Sequence, residues 1–177
     1  IYDKTIKSKI KLNKKDKILC AKYRKGHFEG VIDIMDRLTG KIKPKKIFMG
    51  KKDFQQLYLV KKYIEKKYKS KIVACKTIRN SNKLALSSRN LLLKKKHLDQ
   101  AGRLSQELMF FKNRLIKKII KKNDLEVKKN LLTQKYNVSI EYFELRNLTN
   151  FKESNTTKNS KFFISYYFDK VRLIDNF

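Results

Sequence analysis

The sequence predicts an α/β fold, with a doubly wound parallel sheet in its first part and a small α+β domain in its second. Up to about residue 77, short apolar runs alternate with segments whose apolar residues recur at helical spacing, which is typical of strands and helices in a parallel sheet. The polar segment 79–83 breaks this alternation, and long helical patterns followed by strand-like runs come after it. We therefore predict two domains, 1–77 and 78–177.

Each element of the first domain is predicted from the period of its apolar residues. In the first helix, Val31, Ile34, Met35 and Leu38 recur on one face. The predicted elements are, in order, a strand at 17–21, a helix at 28–39, a strand at 45–49, a helix at 54–68 and a strand at 71–76.

The second domain begins with a long helix, marked by Leu98, Ala101, Leu104 and Leu108 and expected to continue to about Lys121. Gly102 lies inside this helix and should weaken it. The remaining predicted elements are a helix at 124–135, a strand at 139–147, a loop at 152–161 and a strand at 161–174.

Composition narrows the class of protein. The chain has 177 residues, 41% of them hydrophobic, which is enough for a core. No apolar run is long enough to cross a bilayer, and the charged start does not resemble a secretory signal. The two cysteines, Cys20 and Cys75, are too few for a disulfide framework and are not spaced as a metal site. We expect both to be reduced, half-buried packing residues in a cytoplasmic protein.

The net charge of +30 would ordinarily indicate a nucleic-acid-binding protein. However, only eight of the 46 basic residues are arginine, and the lysines are scattered along nearly every segment instead of forming one stripe. Lysine, asparagine, isoleucine and tyrosine, which have AT-rich codons, are abundant, so drift in nucleotide composition explains the lysines at least as well as selection does. A basic nucleic-acid-binding module stays open as an alternative.

The segment from Leu84 to Asn90 has the composition of a phosphate-binding loop. Ser87 and Ser88 provide two compact donors, and Arg89 adds a planar fork of donors that stays charged at any working pH. The alternative is a surface loop whose serines cap the following helix.

A second motif extends from Ile47 to Gln56. An apolar run ends at Gly50, which permits a sharp turn, and a helical pattern follows, so Lys52 lies at the carboxyl end of a strand, where nucleotides bind in open α/β sheets. The alternative here is also structural, because Asp53 and Gln56 have the spacing of a capping box.

Together these motifs resemble those of the pantoate-beta-alanine ligase family, and the resemblance covers nearly the whole chain. It is weakest between about residues 110 and 170. The family patterns are Arg-Pro-Gly-His-Phe-x-Gly-Val, Gly-Glu-Lys-Asp-Tyr-Gln-Gln, Thr-Val-Arg, Leu-Ala-Met-Ser-Ser-Arg-Asn and Arg-Leu-Ile-Asp-Asn. The matching segments of this chain are 24–31, 50–56, 77–79, 84–90 and 172–176.

Several positions depart from the family patterns. Leu86 replaces a methionine of similar volume. Lys51 replaces a glutamate, and its extra positive charge should be tolerated beside a triphosphate. Lys25 replaces a proline, and Phe54 replaces a tyrosine. The pair 82–83 replaces an Asp-Gly turn, so the loop before Leu84 is expected to be less sharply formed. None of these changes removes a donor that could stabilise negative charge.

The resemblance implies a Rossmann-like nucleotide-binding domain and a two-step reaction. ATP and (R)-pantoate would give pantoyl adenylate and pyrophosphate, and beta-alanine would then displace AMP to give pantothenate, a precursor of coenzyme A. It further implies a homodimer, and Mg²⁺ together with ATP.

The resemblance also assigns roles to residues. Lys52 and Arg89 would be catalytic and converge on one triphosphate, and Gln56 would bind pantoate. Asp53 would orient Lys52 or meet a Mg²⁺-bound water. The implied ATP-binding residues are Gly50, Lys51, Lys52, Asp53, Ile78, Leu86, Ser87, Ser88 and Arg89.

The chain does not contain the His-x-Gly-His signature with which family members begin. We therefore expect it to correspond to the carboxyl-terminal two thirds of a synthetase and to be inactive alone, and a degenerate remnant without activity is a further alternative. His27 is either a pantoate-facing or a structural residue, and His97, on a lysine-rich helix, is expected to be solvated.

Overall fold

The structure is a computed structural model that describes residues 10–177, so the first nine residues of the predicted first domain lie outside it. The described chain divides into two compact units, one that ends at Lys76 and one that spans Thr77–Phe177. This division lies one residue before the boundary placed from the sequence. Within the described residues, no helix is long and apolar enough to span a lipid bilayer.

The first unit is built on two parallel strands joined by a helical connection, which confirms the predicted α/β class. The strands pair from Lys46 opposite Lys71 to Gly50 opposite Cys75. The elements are a 3-10 turn (Lys14–Asp16), α1 (Cys20–Tyr23), α2 (His27–Ile42), β1 (Lys46–Gly50), a 3-10 turn (Lys51–Asp53), α3 (Phe54–Val60), a π-helical turn (Lys61–Glu65), α4 (Lys66–Tyr68) and β2 (Lys71–Cys75).

The prediction of a strand at 17–21 is wrong, because α1 begins within this segment, at Cys20. Its apolar residues are core residues, as Leu19 is buried, but so short a run does not distinguish a strand from a helical turn. Asp16 holds the segment in place instead of a strand ladder. Its buried carboxylate accepts hydrogen bonds from Lys62 Nζ at 2.8 Å and from Tyr63 Oη at 3.0 Å.

The second unit combines two helices with an antiparallel sheet in the order β3-β4-β5. The strand predicted at 161–174 is two strands, because the chain reverses at Asp169, whose φ of 49° is left-handed. The elements are a 3-10 turn (Ser88–Leu92), α5 (Lys95–Arg114), α6 (Lys122–Tyr136), β3 (Ser139–Asn147), β4 (Ser160–Phe168) and β5 (Val171–Asn176).

Helix α5 ends at Arg114, earlier than the predicted end near Lys121. The chain then leaves helical geometry, with Lys117 at a φ of 65°, and Ile120 is buried in the core with its N–H bonded to the carbonyl of Asn155 at 2.7 Å. Ile120 is therefore a core residue that comes from the connection between α5 and α6.

The core of this unit lies between the helices and one face of the sheet. Its fully buried members include Leu104, Leu108, Leu132, Phe162 and Tyr166. The period of α5 correctly predicted Leu104 and Leu108 as core residues. Burying these side chains is the main stabilising contribution, at about 25 cal/mol per Å² of apolar surface.

Glu107 joins α5 to α6 at the edge of this core. Its carboxylate accepts hydrogen bonds from Lys128 Nζ at 2.5 Å, Lys135 Nζ at 2.7 Å and Tyr136 Oη at 2.8 Å. Burial alone would raise the pKa of Glu107, but these three donors outweigh burial and lower the pKa to about 2. The carboxylate is therefore ionised in the folded unit at any ordinary pH.

Candidate functional site

The turn after β1 carries the first group of predicted site residues. Gly50 ends the strand, Lys51–Asp53 form a single 3-10 turn, and α3 begins at Phe54. Gly50 has φ −70° and ψ 134°, an extended conformation that any residue adopts, so the reversal is made by the 3-10 turn and not by the glycine. Among residues 10–177, no atom apart from those of Gly50 and its chain neighbours would lie within 4 Å of an added Cβ at Gly50. The described part of the chain therefore leaves open space beside the end of this strand.

Lys52 and Asp53 form an ion pair in this turn, with Nζ 3.6 Å from Oδ1. Asp53 makes no side-chain capping bond to α3, so the capping-box interpretation is wrong. The carboxylate instead lies where it can hold the neighbouring ammonium. Lys51 and Gln56 are partly exposed on the same turn and the first turn of α3.

Gln55, next to the predicted pantoate-binding Gln56, has a different role. It is buried, and its Nε2 donates to the carbonyl of Ile18 at 2.7 Å. This bond ties the start of α3 to the segment before α1. Of the two adjacent glutamines, Gln55 is therefore a buried structural residue, and Gln56 remains accessible.

In the second unit, residues 78–89 form a short antiparallel hairpin followed by a 3-10 turn, here called the hairpin segment. Arg79 and Ala85 form a β-bridge, and the N–H of Leu86 donates to the carbonyl of Ile78 at 3.0 Å. The side chains of Ile78 and Leu86 are 65% and 49% exposed. The hairpin therefore presents two apolar side chains from opposite positions on its strands.

The tip of the hairpin forms although the Asp-Gly pair of the family pattern is absent. Lys83 adopts a φ of 69°, and Asn82 Oδ1 accepts a hydrogen bond from the N–H of Leu84 at 3.2 Å. A left-handed lysine is less favourable than glycine, but Asn82 provides an Asx-type bond that closes the turn.

The serines of the motif differ in their surroundings. Ser87 Oγ accepts a hydrogen bond from the N–H of Arg89 at 3.3 Å and caps the 3-10 turn, as the structural alternative predicted. Ser88 is exposed. Asn90 is buried and donates to the carbonyl of Ala85 at 3.0 Å, which holds the 3-10 turn against the hairpin. The capping role of Ser87 leaves the hydroxyl of Ser88 on the surface.

Two arginines of this segment have very different charge environments. Arg79 donates to both carboxylate oxygens of Asp175, at 2.7 Å and 2.8 Å. Arg89 donates from Nη1 to the backbone carbonyl of Arg172 at 2.9 Å, and no carboxylate of residues 10–177 forms an ion pair with it. Arg89 is thus held in place by a neutral partner, and no carboxylate of the described residues offsets its positive charge.

Arg172, which holds Arg89 through its carbonyl, is itself fixed by Glu141. That carboxylate accepts bonds from Arg172 Nε at 2.9 Å, from Tyr167 Oη at 2.8 Å and from Ser165 Oγ at 2.9 Å. Burial would raise the pKa of Glu141, but these bonds, led by that of Arg172, lower the pKa. The charge of Arg172 is therefore neutralised within the sheet.

The predicted site residues form two groups, one in each unit. The turn after β1 brings together Gly50, Lys51, Lys52, Asp53 and Gln56. The hairpin segment brings together Ile78, Leu86, Ser87, Ser88 and Arg89. Sequence reasoning did not assign Asp175 a role, although it is the aspartate of the closing Arg-Leu-Ile-Asp-Asn pattern.

The two histidines are both packed. His27 Nε2 lies 2.7 Å from Arg24 Nη1, within the Arg-x-Gly-His pattern. His97 stacks on Phe168, with ring centroids 5.0 Å apart and an interplanar angle of 15°, and its side chain is 18% exposed. The prediction of a solvated His97 is therefore wrong, because the aromatic partner comes from a distant strand.

The cysteines and acidic residues complete the inventory of possible ligands. Neither cysteine forms a disulfide; Cys20 is buried, and Cys75 is exposed beside Gly50, so neither is half-buried as expected. In the part of the chain that the structure describes, no three histidine, cysteine or acidic side chains gather as a metal cluster.

Comparison with known proteins identifies the family to which the chain belongs. The model of the pantoate-beta-alanine ligase family matches residues 1–177. A pantothenate synthetase of Flavobacterium psychrophilum is 35% identical over 159 residues, which is 88% of this chain and 56% of that relative. The chain thus spans little more than half the length of this curated relative. The basic nucleic-acid-binding alternative is not favoured by these matches.

Solved structures also match. The crystal structure of pantothenate synthetase from Thermus thermophilus has a TM-score of 0.88, covering 99% of this chain and 65% of its own, at 22% identity, which supports the fold. The pantoate-beta-alanine ligase of Francisella tularensis, complexed with beta-gamma ATP and beta-alanine, has a TM-score of 0.73 and 28% identity over 95% of this chain and 56% of its own.

Proposed function

Because the chain belongs to the pantoate-beta-alanine ligase family, we propose that it carries part of the machinery for the ATP-dependent condensation of (R)-pantoate with beta-alanine. The product is pantothenate, and AMP and pyrophosphate are released. The protein is then an amide-forming, AMP-producing ligase of coenzyme A precursor biosynthesis.

The reaction has two steps whose charges define what the protein must supply. A pantoate carboxylate oxygen attacks the α-phosphorus of ATP, and the bond from that phosphorus to the bridging oxygen breaks, so pyrophosphate leaves with the electron pair. The amine of beta-alanine then attacks the acyl carbon, AMP leaves, and the amine loses a proton. Negative charge concentrates on phosphate oxygens in the first step, so fixed positive groups that meet those oxygens accelerate it.

The observation that carries this proposal is the contrast between Arg89 and Arg79. Both arginines lie in the hairpin segment, but the carboxylate of Asp175 offsets the charge of Arg79, whereas Arg89 is fixed by a backbone carbonyl and has no carboxylate partner among the described residues. A guanidinium that is held in place but not neutralised is suited to bind an anion, because its remaining donors form a planar fork that matches phosphate. We assign Arg89 to the phosphates of ATP.

We assign the remaining residues of the hairpin segment to the same nucleotide. Ser88 contributes an accessible hydroxyl donor, while Ser87 shapes the 3-10 turn through its capping bond. Ile78 and Leu86 present exposed apolar side chains that suit the flat face of an adenine base.

The turn after β1 supplies the second catalytic cation. Lys52 lies at the carboxyl end of a parallel strand, and its neighbour Asp53 holds the ammonium at 3.6 Å. The open space beside Gly50 allows a phosphate or ribose to approach the backbone, and Lys51 adds positive charge at its rim. Gln56 has an amide that can donate to the carboxylate of pantoate or pair with its hydroxyls.

Mg²⁺ fits these residues only as a companion of ATP. Mg²⁺ is commonly held by one or two carboxylates together with substrate phosphates and several waters. Asp53 is the exposed carboxylate of the turn and is suited to such a contact, directly or through a water. When bound, the ion would offset part of the charge of the triphosphate.

The test is pyrophosphate–ATP exchange by the complete gene product, which should require (R)-pantoate. Lys52→Ala should slow adenylate formation about 10² to 10³ fold, the scale of losing one charge-stabilising donor. Lys46→Ala, at the opposite end of the same strand, is the matched control and should leave the rate unchanged. Absence of pantoate-dependent exchange in the wild type would overturn the function, and a Lys52→Ala rate within threefold of the wild type would retire that assignment.

We further propose a cytoplasmic homodimer, as the family resemblance implies. The chain has only two cysteines, which is too few for the disulfide framework of a small secreted domain. Sedimentation equilibrium of the complete gene product should give twice the mass of one chain, and a monomer at micromolar concentration would contradict the dimer.

A further inference from the structure

We propose that Arg79 and Asp175 are positioning residues that hold the hairpin segment on β5 in the position in which it binds ATP. This inference rests on the proposed function, since it concerns the same nucleotide. It assigns a role to the closing Arg-Leu-Ile-Asp-Asn pattern, whose strand β5 is distant in sequence from the segment that it holds.

The first support is the ion pair at the start of the hairpin segment. Besides its two bonds to Asp175, Arg79 donates to the carbonyl of Asn176 at 3.1 Å and to that of Lys83 at 2.9 Å. Its guanidinium carbon lies 4.9 Å from the centroid of the Phe177 ring. One arginine thus joins the first strand and the tip of the hairpin to the end of β5.

The second support is at the other end of the segment. Arg89 donates to the carbonyl of Arg172, which is in the same strand, three residues before Asp175. Both ends of residues 79–89 are therefore attached to β5. Because β5 pairs with β4 along its whole length, the hairpin segment is attached at both ends to the antiparallel sheet.

The third support is helix α5, against which the hairpin tip rests. Gln106 Nε2 donates to the carbonyl of Asn82 at 3.3 Å. A Cβ at Gly102 would lie 2.5 Å from Asn82 Nδ2 and 2.9 Å from Asn82 Cβ. Gly102 therefore leaves the space in which the tip is seated, which explains a glycine inside a long helix.

The burial of the ion pair favours a positioning role over one in binding. The side chains of Arg79 and Asp175 are 17% and 2% exposed, and each satisfies the other's charge. A buried ion pair of this kind adds little net stability but restricts the geometry of the groups it joins. Removing one partner would leave a buried charge and destabilise the unit, so the informative variant is Arg79→Lys, which keeps the charge and changes the geometry. Since catalysis is sensitive to displacements of about 1 Å, this change in geometry should affect ATP.

The experiment compares variants of the complete gene product. Arg79→Lys keeps the charge but loses the two-pronged contact, Asp175→Asn removes the charge, and Gly102→Ala pushes the tip from the helix side. Glu107→Gln is the matched control, because it breaks a comparable carboxylate cluster on the same helix α5, whose three hydrogen bonds come from α6. KM for ATP, KM for pantoate, the melting temperature and amide hydrogen exchange of residues 78–89 are measured for each.

We expect Arg79→Lys and Gly102→Ala to raise the KM for ATP about 10 to 100 fold while the KM for pantoate stays within threefold. Both should accelerate hydrogen exchange at the N–H of Leu86. Glu107→Gln should lower the melting temperature and leave both KM values unchanged. Asp175→Glu, the conservative variant, should recover more of the ATP affinity than Asp175→Asn.

An active wild type whose Arg79→Lys and Gly102→Ala variants only melt earlier, with the KM for ATP within threefold, would overturn the positioning role and leave the ligase function standing. A wild type without ATP turnover would overturn the proposed function, and with it the role of Arg79 and Asp175 in ATP binding. Hydrogen exchange separates these outcomes, because it reports the attachment of the segment independently of turnover.

Discussion

Glu107 provides a quantitative test of how the second unit is held together. Its pKa falls from 4.5 to about 2, a difference that corresponds to about 3 kcal/mol of preferential stabilisation of the ionised form. The side chain is one-fifth exposed, so solvent screening reduces the expected contribution to about 2 to 3 kcal/mol. Replacing Glu107 by glutamine should therefore lower the free energy of unfolding by about this amount at pH 7.

The sign of the pH dependence follows from the direction of the shift. A carboxyl with a lowered pKa binds protons more readily in the unfolded chain, so its contribution is complete above pH 4.5 and is lost as the pH falls towards 2. The difference in unfolding free energy between wild type and Glu107→Gln should accordingly shrink by more than half between pH 7 and about pH 3.

Urea unfolding followed by circular dichroism at pH 7, 5 and 3 measures this difference. Glu126→Gln, at an exposed glutamate of α6, is the control and should cost little at any of these pH values. Acid also weakens other carboxylates such as Glu141, but this effect is common to wild type and variant and cancels in the difference. A difference that stays constant from pH 7 to pH 3 would refute the assignment of a strongly lowered pKa to this cluster.

Three further predictions concern the site and the charge. Arg89→Lys should slow adenylate formation about 10 to 100 fold, because the planar fork is lost, and unchanged kinetics in stopped-flow assays would make Arg89 a structural residue. Alkylation of Cys75, exposed beside Gly50, should slow about tenfold when ATP is present at ten times its Kd, whereas buried Cys20 stays unmodified; equal rates with and without ATP would contradict a nucleotide at this turn. The +30 chain should bind heparin weakly and release it by about 0.5 M salt, and retention above that concentration would favour a specific polyanion site.

Secondary structure was predictable where the apolar period was long. The strand at 139–147 and the helix at 124–135 were predicted to within a few residues, since their alternating or helical patterns extend over many positions. Short runs were ambiguous. The segment at 17–21 was predicted as a strand from its short apolar run. The contacts of Asp16 with Lys62 and Tyr63, which hold the segment, join residues more than 45 positions apart and could not be predicted.

Turns between strands were harder to predict than the strands themselves. Nothing in the run 161–174 requires a reversal at Asp169, because a single left-handed aspartate has no strict sequence signature. The packing of His97 on Phe168 was missed for a different reason, because the aromatic partner lies 71 positions away in the sequence.

The sequence by itself determined the family and the chemical types present, because motifs such as 50–56 and 84–90 keep their order and residue types without any knowledge of contacts. Only the tertiary structure decided which arginine has a carboxylate partner. Arg79 and Arg89 are indistinguishable as residues, yet Asp175, 96 positions from Arg79, neutralises one, and a backbone carbonyl fixes the other. An ion pair depends on distance in space and on burial, and neither is written in the order of residues along the chain.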